Sequence, residues 1–297
     1  MVDDAVVQQV RAQRDQIAKA YTAQPVAGVE IQIPAQSGTR RSLIYRPTGV
    51  EGARPVFFNI HGGGFIFGLP EMDDAFCKRV CDELKVVVIS PSYRLAPEHM
   101  YPSDKEDVFD VVKYVHDNPE QFGIEADCMA IGGHSAGGSI STVVALMAKE
   151  RGEFQFKGVI MDYPTCDLDT EAHAKPTPEG CLDPDLCAVF DSCYRDPEDG
   201  KDPHLSPLFA TQDQLRGLPP HLVITAEGDS LCFEAEEYAK HLMAAGVPTT
   251  GRRFFGVGHG FTIPGFANNP GDPALVAKST AEAGDMMVAA VKSYLVD

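Results

Sequence analysis

Residues 129–138, Met-Ala-Ile-Gly-Gly-His-Ser-Ala-Gly-Gly, constrain this chain more than any other stretch. A short apolar run leads into Gly133-His134-Ser135-Ala136-Gly137, and a helix-like segment from Ser139 to Arg151 follows until Gly152 stops it. A strand, a tight turn with serine at its tip and a helix form the context in which a G-x-S-x-G pattern acquires chemical meaning. The turn strains the serine backbone, and the flanking glycines, lacking Cβ, leave room for it. Ser135 Oγ then projects beyond the sheet, and the Ala136 N–H faces the same point from the start of the helix. With 27 glycines in 297 residues, chance alone supplies about 0.1 such matches. The rest of the chain must decide whether the turn is more than a Gly-rich corner.

That remainder alternates between strand and helix. Residues 1–24 place Val6, Val7, Val10, Ile17, Ala18 and Tyr21 roughly on one helical face. Residues 29–33 alternate as a half-buried strand, with 42–46 as its partner. Residues 56–60 form a fuller apolar run, as a strand buried on both faces requires. Further helices are expected at 73–84, 104–116, 233–245 and 273–295, and further strands at 86–89, 158–161, 221–226 and 250–255. Residues 164–207 break the rhythm: seven prolines, many acids and one helix-like stretch, 185–194, mark an insertion above the sheet. The expectation is one α/β domain over 1–297, a mostly parallel, doubly wound sheet of about eight strands with helices on both faces.

A serine hydroxyl needs a base, and the base needs an orienting acid. In such a sheet each sits on a loop at the carboxyl end of a strand, in the chain order Ser, acid, His. Asp229 follows the strand ending at Ala226, and His259 follows the strand ending at Phe255. Asp162 also ends a strand and Glu227 neighbours Asp229; Asp229 is preferred, with Asp162 second. His99, His221 and His241 lie in a Pro-flanked turn, at a strand start and in mid-helix, and read as structural or solvated. His134 adjoins the nucleophile, but its side chain should point away from the hydroxyl as a hydrogen-bonded packing residue. His61-Gly62-Gly63-Gly64-Phe65 supplies the remaining part. Three successive glycines after histidine have a chance expectation of about 0.007. They let backbone N–H groups converge, and without a following Lys-Ser/Thr or G-x-G-x-x-G spacing an oxyanion loop fits better than a phosphate cradle. Gly63 and Gly64 are its expected donors, with Ala136.

The formal charge of −18 disfavours nucleic acid and anionic membrane surfaces as partners. No 18-residue apolar run offers a membrane span, and the acidic start, Met1-Val2-Asp3-Asp4, is unlike a signal peptide. A cytoplasmic location is therefore expected. The eight cysteines show no C-x-x-C pair or zinc spacing, which points to free thiols. Cys166, Cys181, Cys187 and Cys193 fall in the irregular segment, where a bridge stays open.

Taken together, His61-Gly62-Gly63-Gly64-Phe65, Tyr93-Arg94-Leu95-Ala96-Pro97-Glu98-His99, Gly133-His134-Ser135-Ala136-Gly137-Gly138, Gly228-Asp229-Ser230-Leu231 and His259-Gly260-Phe261 resemble the hormone-sensitive-lipase family of α/β-hydrolases. The likeness runs from about residue 40 to the C-terminus. It implies a carboxylic-ester hydrolase with triad Ser135, Asp229 and His259 and oxyanion donors Gly63, Gly64 and Ala136, and the leading expectation is a serine carboxylesterase acting on short-chain, uncharged acyl esters through an acyl-enzyme. It implies no metal or organic cofactor, a small-molecule ester as partner, and a cap built from about 1–24 and 164–207; a homodimer is compatible with it. An amide-cleaving, arylformamidase-like relative would use the same machinery. A non-catalytic small-molecule receptor of this type would lack the histidine, and His259 is present. Two departures stand out: most members carry Asp where this chain has His134, and a Pro-Leu-Arg-Asp-like run where it has Ser230-Leu231-Cys232-Phe233.

Overall fold

Side chains of β3 (Arg54–Ile60) alternate between two apolar layers, and that alternation organises the molecule. Val56, Phe58 and Ile60 face one layer with the helices Ser103–Asp117 and Ala136–Arg151. Phe57 faces the other, with the helices Asp74–Leu84 and Pro273–Leu295. A strand covered on both sides must be apolar on both sides, which is why 56–60 reads as a nearly continuous run. The structure, a computed structural model, describes residues 4–263 and 271–297. Residues 1–3 of the helix expected at 1–24 lie outside the described residues; the helix is observed over Asp4–Thr22.

The remaining strands are β1 (Val29–Ala35), β2 (Gly38–Tyr45), β4 (Val87–Pro91), β5 (Ile124–His134), β6 (Val159–Asp162), β7 (His221–Gly228) and β8 (Thr249–Gly258). They form one eight-stranded sheet in the order β1-β2-β4-β3-β5-β6-β7-β8. β2 runs antiparallel to β1 and β4, and β3 to β8 are mutually parallel. The chain is thus an α/β hydrolase fold. Parallel strands present all their carboxyl ends at one edge, so loops after β3, β5, β6, β7 and β8 meet there.

Element ends moved by a few residues. β8 continues to Gly258, past the expected 255, because a register shift between Ala226 and Gly228 lets Gly228 pair with Gly258. A short helix, Pro119–Phe122, was not anticipated. In 164–207 the helix is Pro184–Tyr194, its first turn capped by the Asp183 carboxylate accepting from Asp185 N–H. Cys166, Cys181, Cys187 and Cys193 are all free thiols.

Candidate active site

The site starts from a backbone that only a crowded corner would enforce. Ser135 has φ 53° and ψ −118°, outside the ordinary wells for a residue with a side chain. It is held there from several sides: its N–H donates to the Asp162 carbonyl at 2.8 Å, and its own carbonyl accepts from Ser139 N–H. A Cβ at Gly133 or Gly137 would collide with the Ile60 carbonyl oxygen of β3. The two glycines of the motif therefore let the turn press against the neighbouring strand, which aims Ser135 out of the sheet.

Three side chains join into one row at this edge. The hydroxyl of Ser135 lies 3.0 Å from His259 Nε2, and His259 Nδ1 donates to Asp229 Oδ2 at 2.8 Å. Asp229 is 1% exposed, and its other oxygen accepts from Leu231 N–H at 3.0 Å. Each residue follows a different strand, β5, β7 and β8, so the row exists only when the sheet is assembled. Asp162 takes no part in it: its Oδ2 accepts from His134 Nδ1 at 2.8 Å. Glu227 turns outward and accepts from Gly256 N–H.

The glycine loop after β3 is fixed from below. His61 is buried, stacked on Tyr93 with ring centroids 4.2 Å apart, while Tyr93 Oη donates to the His61 carbonyl at 2.8 Å. Burial pushes the His61 imidazole below its ordinary pKa, so it is a neutral spacer. Gly63 and Gly64 take φ 125° and 59°. Gly63 carbonyl accepts from Phe67 N–H at 2.8 Å, closing the loop on itself. The Gly64 position has no room for a Cβ against the Phe190 ring. Both glycines, with Ala136, line the same cavity as Ser135 and His259.

The cavity measures about 250 Å³. Its wall is largely apolar: Phe65, Phe67, Leu168, Leu186 and Phe190, with Ile17 of the N-terminal helix. That helix is tied down by Arg14, which donates to the Ile66 and Ala96 carbonyls at 3.0 and 2.6 Å.

His134 is buried and hydrogen-bonded, in the manner of a packing residue, yet it is also charged. Its Nδ1 meets Asp162 and its Nε2 lies 3.7 Å from Asp73 Oδ1. Burial opposes the charge, but Asp73 and the Asp162 hydrogen bond outweigh it and raise the imidazole from 6.5 to about 9. Asp73 also accepts from Asn59 Nδ2 at 2.8 Å. Thr262 Oγ1 donates to Asp162 Oδ2 at 2.6 Å and pairs with Tyr163 Oη at 2.6 Å. Asp73, Tyr163 and Thr262 carried no motif signal; only the assembled sheet edge brings them together. His221, by contrast, is buried between Thr142 Oγ1 and the Pro219 carbonyl, and burial lowers it to about 4.

A family model described as alpha/beta hydrolase fold matches residues 57–263, more than half of the chain. The chain belongs to the hormone-sensitive-lipase family of α/β hydrolases. Among relatives of this α/β hydrolase, the carboxylic ester hydrolase LipN of Mycobacterium tuberculosis is 34% identical over 241 residues. That match spans 78% of this chain and 63% of LipN, under two thirds of the relative's length. A thermophilic, thermostable carboxylesterase cloned from a metagenomic library superposes with TM-score 0.83 at 32% identity, covering 98% of each chain. A hyperthermophilic esterase of the archaeon Pyrobaculum calidifontis gives TM-score 0.82 at 35% identity, covering 99% of this chain and 97% of the other. Among the described residues of this α/β hydrolase, no helix is long and apolar enough to cross a membrane and no cluster of ligating side chains suits a metal ion.

Proposed function

We propose that the protein is a serine carboxylesterase whose catalytic residues are Ser135, His259 and Asp229. The observation carrying this reading is the hydrogen-bonded row from Ser135 Oγ through His259 to Asp229, opening on a cavity of about 250 Å³. Ser135 Oγ attacks the ester carbonyl while His259 Nε2 takes its proton. Asp229 holds the other ring nitrogen protonated and stabilises the imidazolium. Negative charge on the carbonyl oxygen is met by the N–H groups of Gly63, Gly64 and Ala136. His259 then protonates the departing alcohol, leaving an acyl-enzyme, and activates the water that releases the acid.

The helix from residue 4 to 22 and the 164–207 insertion act as the cap over this site. The cavity is smaller than the range of about 300–1,000 Å³ usual for drug-sized ligands, which favours a short, uncharged acyl chain. Each accommodated methylene adds about 0.8 kcal/mol at most, and a chain that outgrows the wall must displace packed rings. Hydrolysis of p-nitrophenyl esters of graded acyl length tests this: rates should peak at short chains and fall steeply beyond about eight carbons. A best rate on long-chain triglyceride would overturn the small-pocket reading. An organophosphonate should modify Ser135; modification elsewhere with Ser135 intact would overturn the catalytic assignment. Formamide substrates in the same panel separate the amide-cleaving alternative.

A further inference from the structure

The helix Pro184–Tyr194 turns Leu186, Cys187, Phe190 and Asp191 toward the cavity. The spacing i, i+1, i+4, i+5 is one face of a helix, and Asp191 is the single ionisable carboxylate on it. It sits among apolar groups in the wall of the proposed substrate site. Buried or half-buried carboxylates are ordinarily satisfied by donors, and for the two carboxylates on either side of Lys175 this holds. Asp167 accepts from the N–H groups of Asp169 and Thr170 and from the Thr170 hydroxyl. Glu234 accepts from Cys166 and Asp167 N–H and from Lys175 Nζ. Among the described residues, no hydrogen-bond donor acts on the Asp191 carboxylate.

Lys175 does not fill the gap. Lys175, which also lines the cavity, commits its Nζ to Glu234 Oε2 and the Asp167 carbonyl, both at 2.6 Å. The charged groups acting on Asp191 are Lys175 and Arg195, which favour its ionised form, and Asp167, which opposes it. Cys187, one turn back on the same helix, is a thiol pushed up to about 12 by burial and so contributes no charge at neutral pH. Counting Glu234 behind Lys175, the two cations face three carboxylates. The wall therefore holds an anion in need of a partner, in the same cavity as Ser135.

We infer that Asp191 is a recognition residue for a cationic group carried on the substrate, so that the favoured substrates are small acyl esters of an alcohol bearing an ammonium group. This rests on the esterase reading above, which gives the acyl half a small uncharged chain and hence assigns the cation to the alcohol half. Asp191 itself is raised to about 6, chiefly by burial, with Lys175 and Arg195 pulling the other way. Recognition should accordingly persist above that pH and fade below it, as the carboxylate takes up a proton.

The test uses the purified full chain and matched pairs of esters: choline acetate against its carbon isostere, with a tert-butyl group replacing trimethylammonium. At about pH 8 the wild type should favour the cationic ester by about tenfold in kcat/KM, and by clearly less at about pH 5. The ratio should fall to near one in Asp191→Asn. An equal ratio in wild type and variant, or a wild-type ratio that does not respond to pH, would overturn the assignment. So would a larger preference for a cation placed on the acyl half. The wild-type pH dependence stands even if the variant folds poorly. Failure of the underlying reading has a different signature: no turnover of p-nitrophenyl acetate and no labelling of Ser135.

Discussion

Two histidine–carboxylate pairs sit at the same edge of the sheet, and their second ring nitrogens meet opposite kinds of partner. His259 Nδ1 meets Asp229 at 2.8 Å, and His134 Nδ1 meets Asp162 at 2.8 Å. Tyr163 packs against both rings, with centroids 5.0 Å from His259 and 5.9 Å from His134. The difference lies at the other ring nitrogen. His259 Nε2 faces the Ser135 hydroxyl, whereas His134 Nε2 faces a second carboxylate, Asp73. An imidazole with an acid on one side and a hydroxyl on the other can accept a proton. One between two acids already holds it, and holds it to about pH 9. A His–Asp pair is thus not by itself a catalytic unit; the third group decides whether the pair moves a proton or stores a charge.

Disabling each pair through its acid should separate the two pairs most strongly. Asp229→Asn should lower kcat by about four orders of magnitude, because the ring loses its orienting partner and the stabiliser of its charged form. Asp162→Asn leaves the Ser135–His259–Asp229 row intact and should cost less than about tenfold in rate. Steady-state hydrolysis of p-nitrophenyl acetate reads both. The reverse ranking would show that the proton-moving pair is the one built on β6.

The charge-storing pair should reveal itself in stability. His134→Gln strands Asp73 and Asp162 without a buried counter-charge, a change of the kind that costs about 3–5 kcal/mol. In the wild type the imidazole is raised from 6.5 to about 9 in the folded protein. A raised folded-state pKa makes its stabilisation fully present below about 6.5 and lost as pH climbs through about 9. The size follows from the shift, about 3 kcal/mol. Urea unfolding from neutral to alkaline pH should show this loss in the wild type and lack it in His134→Gln. Parallel pH profiles for the two proteins would mean that His134 is not a stored charge.

The contrast also shows what local pattern can and cannot carry. The strand-turn-helix at Ser135 was legible because its requirements are local: apolar strand, glycines against Ile60, helix start. His61 and the glycines after it were legible for the same reason. The meeting of Asp229 and His259 with Ser135 was legible because each follows a strand whose place in the order limits where its loop must go. His134 was legible as a hydrogen-bonded residue turned from the hydroxyl, but not as a cation. Its second acid, Asp73, arrives from a 3₁₀ turn, Pro70–Asp73, far away in the chain. Asp191 was hidden differently: its helix was recognisable, but which face met the cavity depends on tertiary packing. Charge state and partner identity are properties of the assembled edge.

The smallest expected effect concerns the link between the two pairs. Thr262 follows His259 by three residues, and its hydroxyl donates to Asp162 Oδ2 while accepting from Tyr163 Oη. The loop bearing His259 is therefore tethered to the acid that pairs with His134. A second tether, Thr280 Oγ1 to the Phe261 carbonyl at 2.6 Å, acts on the same loop, so losing one should loosen His259 rather than release it. Thr262→Val keeps the shape of the side chain and removes the hydrogen bond. A hydrogen bond to a charged group contributes about 1.5–3 kcal/mol, and only part of that bears on the placement of His259. The expected outcome is a kcat lower by about three- to tenfold with KM little changed. Thr262→Ser should restore most of the loss, since it returns the hydroxyl. If Thr262→Val matched the wild type in kcat, the two pairs would be mechanically independent, and the buried cation would act on stability alone.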